Sequence, residues 1–211
     1  MKAVFGGAFW DELYRSRRTV WSDEPNPQLV AEVSGLTPGT ALDVGCGEGA
    51  DAIWLAARGW HVTAADISSV ALERARAVAI SPEIASRIEW LHIDLVAAAA
   101  PGEPYDLVSA HFMQLPPAQR ESLFRRLAAS VKQGGSLLVV GHHPSDLQTT
   151  VKRPPLPELF YTAADIAALL EPNDWDIIVE ASRGRSATDP ANRTVTVHDT
   201  VLRARRRARS S

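Results

Sequence analysis

The feature that most restricts the fold is the alternation of short apolar runs with helical segments along residues 40–141. Strands are predicted at residues 40–44, 61–66, 88–93, 105–110 and 136–141. Between them, helices are predicted at residues 51–58, 68–78 and after Pro116, and shorter helices at 9–16 and 28–33 precede the first strand. Strands that alternate with helices form β-α-β units, so we predict an α/β protein with a mostly parallel sheet.

The C-terminal part of the pattern predicts how the sheet is completed. A turn is expected at Gly134-Gly135, and Thr162 with Asp165 should cap a last helix. Residues 176–180 and 194–202 then alternate as strands, joined by a loop through Gly184 and Pro190. No helix separates these two strands, so they should pair antiparallel at one edge. The prediction is a seven-stranded sheet flanked by helices, mostly parallel, with its last strand antiparallel.

Composition excludes several classes of protein. With 211 residues, 45% of them hydrophobic and 22% charged, the chain suits a single globular domain. No apolar run approaches the roughly 18–20 residues of a membrane-spanning helix, and the N-terminus lacks the features of a signal peptide. Cys46 alone allows no internal disulfide. We therefore expect a cytoplasmic protein without membrane contact.

The charge is unevenly distributed along the chain. The net charge is -3, yet the last nine residues carry five arginines and no acid. We expect residues 204–211 to be a disordered basic tail, with residues 1–38 an N-terminal helical segment and 39–203 the core. Without these nine residues the chain has an excess of acidic residues, which is unlike a nucleic-acid-binding face. We expect a small-molecule partner, no nucleic acid, and a monomer or homodimer.

The most informative stretch follows the first predicted strand and reads Leu42-Asp43-Val44-Gly45-Cys46-Gly47-Glu48-Gly49. Its glycines tolerate positive φ and let a ligand approach the backbone. The spacing also satisfies the dinucleotide pattern G-x-G-x-x-G/A, so an NAD-linked oxidoreductase stays open. The carboxylates at positions 43, 48 and 51 would repel a pyrophosphate, however, and would suit a ligand with an amino group. Cys46 is expected to pack beneath this loop.

Two further acids end neighbouring strands. Asp66 lies 23 residues after Asp43, where a carboxylate can accept hydrogen bonds from a ribose diol. Asp94 ends the third strand, where a carboxylate can bind an adenine amino group. Taken singly, these acids could instead be a loop-bound acid, a helix cap and a turn residue. Their joint position around a glycine loop favours a cofactor that contains a nucleoside.

The segments LDVGCGEGADAIWLAARGWHVTAADIS, HIDL and YDLVSAHF resemble the class I S-adenosylmethionine-dependent methyltransferases. The opening FWDELYRS and RRTVWSDEPNPQLV resemble the tellurite-resistance and thiopurine methyltransferase group, in which such a segment folds over cofactor and acceptor. The resemblance covers residues 9–203. It implies a Rossmann-like core, with residues 1–38 as a lid, S-adenosylmethionine as the cofactor and S-adenosylhomocysteine as the product.

The resemblance also implies a set of cofactor-binding residues. Asp66 would bind the ribose hydroxyls and Ile67 would lie against the adenine, whose edge Asp94 and Leu95 would hold. The three glycines would line the methionine and ribose, His111 would lie beside the sulfonium, and the N-terminal aromatic residues would form the lid. The full set is Trp10, Tyr14, Trp21, Asp43, Gly45, Cys46, Gly47, Gly49, Asp66, Ile67, Asp94, Leu95 and His111.

Methyl transfer from a sulfonium is an in-line displacement, so alignment and exclusion of water are its main requirements. A base is needed only when the acceptor keeps its proton near neutral pH, and histidine suits that task. The candidates are His111, His142 and His143, each with binding or packing as its alternative role. No metal is expected, because adjacent histidines need a further ligand that converges on them.

The predicted function is methyl transfer from S-adenosylmethionine to a small-molecule acceptor. The resemblance of the N-terminal segment implies that this acceptor is a thiol or chalcogen nucleophile. The alternatives are an O- or N-methyltransferase of a metabolite with a histidine base, an NAD-linked oxidoreductase, and a binding module without turnover. The strand end Ser109-Ala110-His111-Phe112 lacks the N/D-P-P-Y/F motif of related enzymes that methylate nucleic-acid bases. The proline-rich segment 142–159 is expected to shape the acceptor pocket.

Overall fold

The computed structural model describes residues 6–78 and 80–208. Within them the strands are β1 (Thr40–Val44), β2 (His61–Asp66), β3 (Ile88–His92), β4 (Tyr105–His111), β5 (Val131–His142), β6 (Trp175–Thr188) and β7 (Thr194–Arg206). The helices are α1 (Gly7–Ser16), α2 (Pro27–Val33), α3 (Ala50–Ala57), α4 (Ser69–Ala77), α5 (Pro82–Ala85), α6 (Pro117–Ala129) and α7 (Ala163–Ala167). None of the helices in the described residues is long and apolar enough to cross a membrane.

The described strands form a seven-stranded sheet in the order β3-β2-β1-β4-β5-β7-β6. β1 pairs parallel with β2, and β2 pairs parallel with β3. β7 pairs antiparallel with both β5 and β6. The predicted α/β class is therefore confirmed, together with the mostly parallel sheet and its antiparallel last strand.

The chain divides into two compact units, Met1–Ser109 and Ala110–Ser211. The core of the first unit is formed by the parallel strands and by the helices that cover them, since Leu42, Leu55 and Leu72 are wholly buried. Four of the five residues of β1 are buried, as expected for a parallel strand covered on both faces. These short strands all end in loops that carry residues of the predicted cofactor set.

The second unit is built on the long β6–β7 hairpin and on β5. Its core includes Leu137, Val139 and Leu202 from the strands and Phe124 from α6. β6 carries one extra residue, because Ile177 pairs with Ala204 whereas Val179 pairs with Arg203. Such a shift is a β-bulge, which bends a strand and interrupts its ladder of hydrogen bonds.

Several element boundaries differ from the sequence prediction. Gly134-Gly135 was expected to be a turn, but both glycines lie inside β5, where Gly134 takes a positive φ of 80°. Gly184 was expected in a loop, but it pairs with His198 inside the hairpin. The loop is instead residues 189–193, where the Asp189 carboxylate accepts bonds from the backbone N–H groups of Ala191 and Arg193.

The predicted basic tail is shorter than expected. Residues 204–206 complete β7 rather than belonging to a disordered end. Arg206 donates to the carbonyl of Val131 at 2.6 Å, and Arg207 forms an ion pair with Asp176. Guanidinium groups thus bind carbonyls and a carboxylate of their own unit, which explains why the strand continues. Residues 209–211 of the predicted tail lie outside the described residues.

The proline-rich segment contains two short 3-10 helices, Pro144–Gln148 and Pro157–Leu159. Asp146 is completely buried there and binds Arg153 through Nη2 at 2.9 Å. Its other carboxylate oxygen accepts the backbone N–H of His198 at 2.8 Å. A buried carboxylate satisfied in this way ties an otherwise irregular segment to the hairpin.

Candidate functional site

The glycine loop is held by the strand next to it. Gly45 and Cys46 both donate their backbone N–H groups to the carbonyl of Ala65, at 2.8 and 3.1 Å. Gly45, Gly47 and Gly49 have φ values of 72°, 54° and 89°. These left-handed conformations suit glycine and explain why three alternate glycines occur between β1 and α3.

Asp66 joins the end of β2 to this loop. Its Oδ2 accepts the backbone N–H of Gly47 at 2.9 Å, and its Oδ1 accepts that of Ser68 at 2.7 Å. Burial raises the pKa of this carboxyl above its usual value, against the lowering effect of the two hydrogen bonds. A carboxylate offers about four lone-pair sites, so these bonds do not use its full capacity to accept hydroxyl groups of a ligand.

The other residues of the loop have packing roles. A Cβ on Gly49 would lie 2.5 Å from Cη2 of Trp90, so Gly49 is required for the close approach of this ring. Cys46 is buried, and burial raises the pKa of its thiol, with Asp43 and Asp66 adding to the effect. A thiol of this kind is a poor nucleophile, in agreement with the expected packing role.

Two residues of the predicted lid, Tyr14 and Trp21, lie over Gly47. The Tyr14 hydroxyl is 2.9 Å from the position that a Cβ on Gly47 would occupy, and Trp21 is 3.5 Å from the same point. The indole Nε1 of Trp21 donates to the Tyr14 hydroxyl at 2.9 Å. Tyr14 is buried, whereas Trp21 is 54% exposed. Burial raises the pKa of Tyr14, and the carboxylate of Asp66 adds to the effect, so its hydroxyl stays protonated at neutral pH.

The carboxylates at positions 48 and 51 hold the N-terminal segment, because both accept backbone N–H groups from it. That they also attract an amino group of a ligand stays a prediction. Glu48 Oε2 accepts from Val20 and Trp21, at 3.1 and 3.2 Å. Asp51 Oδ1 accepts from Asn26 at 2.6 Å. The acids that the sequence predicts to repel a pyrophosphate thus hold this segment beside the glycine loop.

Arg74 is a residue that the sequence analysis missed. It lies on α4, and its Nη1 binds Glu48 Oε1 at 2.9 Å. Nη2 donates to the carbonyls of Arg17, at 2.8 Å, and Tyr14. Nothing local in the sequence indicates these bonds, because their acceptors are 26 to 60 residues away.

Asp11 is a second missed residue, and it connects α1 to the end of β2. Its Oδ1 accepts the hydroxyl of Ser68 at 2.6 Å, while that hydroxyl also caps α4. A Cβ on Gly7 would lie 3.1 Å from the carbonyl of Ile67, so α1 passes directly over this residue. Trp10 is half-buried on the same helix, with its ring 5.3 Å from that of Phe9.

The remaining acids of the set occupy separate places. Asp43 is buried in β1, where its Oδ1 accepts a bond from the Ser109 hydroxyl at 3.3 Å. Asp94 is exposed after β3, and its Oδ1 accepts the backbone N–H of Val96 at 2.9 Å. Asp94 thus forms the turn that the sequence left open, while its role in binding adenine stays a prediction, and the adjacent Leu95 is buried.

The candidate histidines differ sharply in their surroundings. His142 ends β5 with its ring 4.6 Å from Phe112 and 6.4 Å from Phe160. Burial lowers its pKa to about 3, and Arg153 adds to the effect. Its Nδ1 is buried and has no hydrogen-bond partner among the described residues. Phe112 has a positive φ of 52°, which is uncommon for a residue with a side chain.

His143 has a structural role and His111 stays a candidate. The Nδ1 of His143 accepts the backbone N–H of Ser145 at 3.2 Å and thereby caps a 3-10 helix. Since Nδ1 is the acceptor, this ring carries its proton on Nε2 when neutral. His111 is the last residue of β4 and is half-buried.

The chain is similar to known methyltransferases. Residues 41–135 match a family model described as a methyltransferase domain. An uncharacterised methyltransferase of Mycobacterium bovis is 38% identical over 100 residues, which are 47% of this chain and 48% of that protein. A probable thiol methyltransferase of Arabidopsis thaliana is 29% identical over 136 residues, or 62% and 60% of the two chains. The chain thus spans about half the length of the curated relatives it matches.

Solved structures agree over nearly the whole chain. A structure from work on the conversion of a disulfide bond into a thioacetal group during echinomycin biosynthesis has a TM-score of 0.72 at 22% identity. It covers 97% of this chain and 93% of that one. Magnesium protoporphyrin IX methyltransferase from Synechocystis, solved with bound S-adenosylhomocysteine, has a TM-score of 0.60 at 23% identity, covering 96% and 83%. At these identities the likeness shows the fold.

Proposed function

We propose that this chain is a class I S-adenosylmethionine-dependent methyltransferase that methylates a small molecule carrying a thiol or chalcogen nucleophile. The observation that carries the cofactor site is the bond from Gly47 to Asp66, beneath Tyr14 and Trp21. It brings the Asp66 carboxylate, the glycine loop and two aromatic side chains to one place. This is the donor set that a nucleoside with a sulfonium requires.

The chain's own residues supply binding, orientation and shielding. When bound, S-adenosylmethionine supplies an electrophilic methyl group on a positively charged sulfur. Asp66 would bind the ribose hydroxyls. The Tyr14 hydroxyl would donate to the ligand, since its bond with Trp21 uses it as an acceptor and leaves its own hydrogen available. Trp21 would exclude water above the loop. Such positioning can supply several kcal/mol of the catalytic effect.

The surroundings of the histidines support an acceptor that needs no strong base. His142 has a pKa lowered to about 3, so it holds no proton at neutral pH and accepts one weakly. His143 uses Nδ1 to cap a helix. A thiol with its usual pKa of about 8.5 is partly ionised at neutral pH, and chalcogen oxyanions carry charge already. The similarity to a probable thiol methyltransferase supports the same acceptor class.

The test is the release of S-adenosylhomocysteine from S-adenosylmethionine with thiols, selenite, tellurite, phenols and amines as separate acceptors. We expect turnover with thiols or chalcogens only. The Asp66→Asn variant should bind S-adenosylhomocysteine at least about 10-fold more weakly, because it loses a charge-assisted bond. Asp176→Asn, an exposed change on β6, serves as the matched control and should bind normally.

Two results would count against this proposal in different ways. Turnover with phenols or amines alone would overturn the acceptor class and point to His111 as a base. Normal cofactor affinity in Asp66→Asn would overturn the assigned cofactor site, whichever acceptor is used.

A further inference from the structure

We infer that Arg74 and Glu48 are positioning residues that hold residues 14–21 against the glycine loop and set the rate at which the cofactor leaves. The inference rests on the cofactor site proposed above. It is carried by a set of hydrogen bonds in which the two side chains bridge three parts of the first unit: α4, the glycine loop and the segment after α1.

The segment has little else to hold it. Residues 17–26 contain no helix or strand, and most of them are exposed, including Arg17 and Arg18. Trp21, the largest apolar side chain there, is 54% exposed. Apolar burial therefore contributes little, and polar bonds must supply the order of this stretch.

Arg74 supplies those bonds from one side. Its guanidinium donates to the carbonyls of Tyr14, Arg17 and Arg18, the last at 3.3 Å. The group is 29% exposed and lies 6.0 Å from the centre of the Tyr14 ring. A planar guanidinium with five donors can serve several carbonyls and a carboxylate together, which an ammonium group on lysine cannot match.

Glu48 supplies the connection to the loop. One carboxylate oxygen binds Arg74, and the other accepts the backbone N–H groups of Val20 and Trp21. Glu48 lies between Gly47, which bonds to Asp66, and Gly49, which packs on Trp90. A displacement of the loop therefore acts on the N-terminal segment directly, and release of that segment frees the face of Gly47 that Tyr14 covers.

The consequence is kinetic. A ligand bound between Asp66 and Tyr14 leaves only when residues 14–21 move, and this movement breaks charge-assisted bonds made by Arg74 and Glu48. Loss of one such bond should speed release at least about 10-fold.

The experiment measures the dissociation rate of S-adenosylhomocysteine by stopped-flow tryptophan fluorescence on the full chain. The variants are Arg74→Lys and Glu48→Gln, and Glu73→Gln, an exposed neighbour on α4, is the matched control. We expect at least about 10-fold faster release in both variants and a raised KM for S-adenosylmethionine. Glu73→Gln should match the wild type in both the release rate and the KM.

Each outcome separates the two proposals. Wild-type release rates in Arg74→Lys and Glu48→Gln would overturn the positioning role while leaving the cofactor site intact. A fall in thermal stability with an unchanged KM would also overturn it, because it would show a purely structural role. Absence of S-adenosylhomocysteine binding to the wild type would overturn the cofactor site and this inference with it.

Discussion

His142 illustrates how burial decides the chemistry of a side chain. Packed beside Phe112 and Phe160, its imidazole has a pKa lowered to about 3. In the unfolded chain the pKa returns to about 6.5. As the pH falls below 6.5, the unfolded chain therefore takes up a proton that the folded chain refuses, and the free energy of unfolding decreases.

This difference predicts a pH-dependent stability. Between pH 7.5 and pH 5, the His142 site should cost the wild type about 2 kcal/mol of unfolding free energy. His142→Gln should lose less over the same interval, as measured by urea unfolding at both pH values. His61→Gln, at an exposed position in β2, is the control and should follow the wild type. Equal pH dependence in wild type and His142→Gln would contradict the prediction.

Single residues were predictable from sequence where their role is local. Asp66 and the glycines follow from their position between a strand and a helix, and Ser68, the first residue of the helix predicted at 68–78, caps α4. Arg74 and Glu48 were not predictable, because their partners lie on a segment without periodicity that is remote in sequence. The sequence showed the charges, but only the folded chain shows what they bind.

At the scale of elements, the turn between β1 and α3 depends on Gly49. Its φ is 89°, and Trp90 of β3 fills the space where a side chain would be. Gly49→Ala should therefore lower the unfolding free energy by at least about 2 kcal/mol, through backbone strain and steric overlap together.

Chemical denaturation of Gly49→Ala and of a control variant would measure this. Gly35→Ala is suitable, since nothing lies within 4 Å of its added Cβ, and it should stay within about 0.5 kcal/mol of the wild type. The double change Gly49→Ala with Trp90→Leu should recover only part of the loss, because the positive φ remains. A neutral Gly49→Ala would show that β3 can shift to accept the methyl group.

Elements were predicted well where hydrophobic periodicity and caps agree, as in β1, β2 and the Thr162 capping box of α7. They were predicted poorly where pairing overrides local preference. Gly184 reads as a loop residue, yet cross-strand pairing with His198 keeps it in β6. Tertiary context of this kind is absent from a window of a few residues.

At the scale of the whole molecule, cofactor binding and unfolding should be linked. β4 runs from Tyr105 to His111 and so crosses the boundary between the two compact units at Ser109. We therefore predict one cooperative unfolding transition, as the single-domain expectation requires. S-adenosylhomocysteine at 100 times its Kd should raise the unfolding free energy by about 2.7 kcal/mol.

Differential scanning calorimetry of the full chain with and without S-adenosylhomocysteine would check this. NADH at the same concentration is the control and should leave the transition where it is. Two transitions, of which the ligand moves only one, would show that the units Met1–Ser109 and Ala110–Ser211 unfold separately.

The bulge at Ile178 matters for how copies of this protein behave together. β6 is the last strand of the sheet, and Ile177 and Ile178 are exposed on it at 42% and 46%. A regular apolar edge strand would be a template for a strand from another copy, and sheets could then extend from molecule to molecule. The extra residue puts the backbone donors and acceptors out of step at this point. We therefore expect the bulge to oppose edge-to-edge pairing between copies at this exposed apolar part of β6.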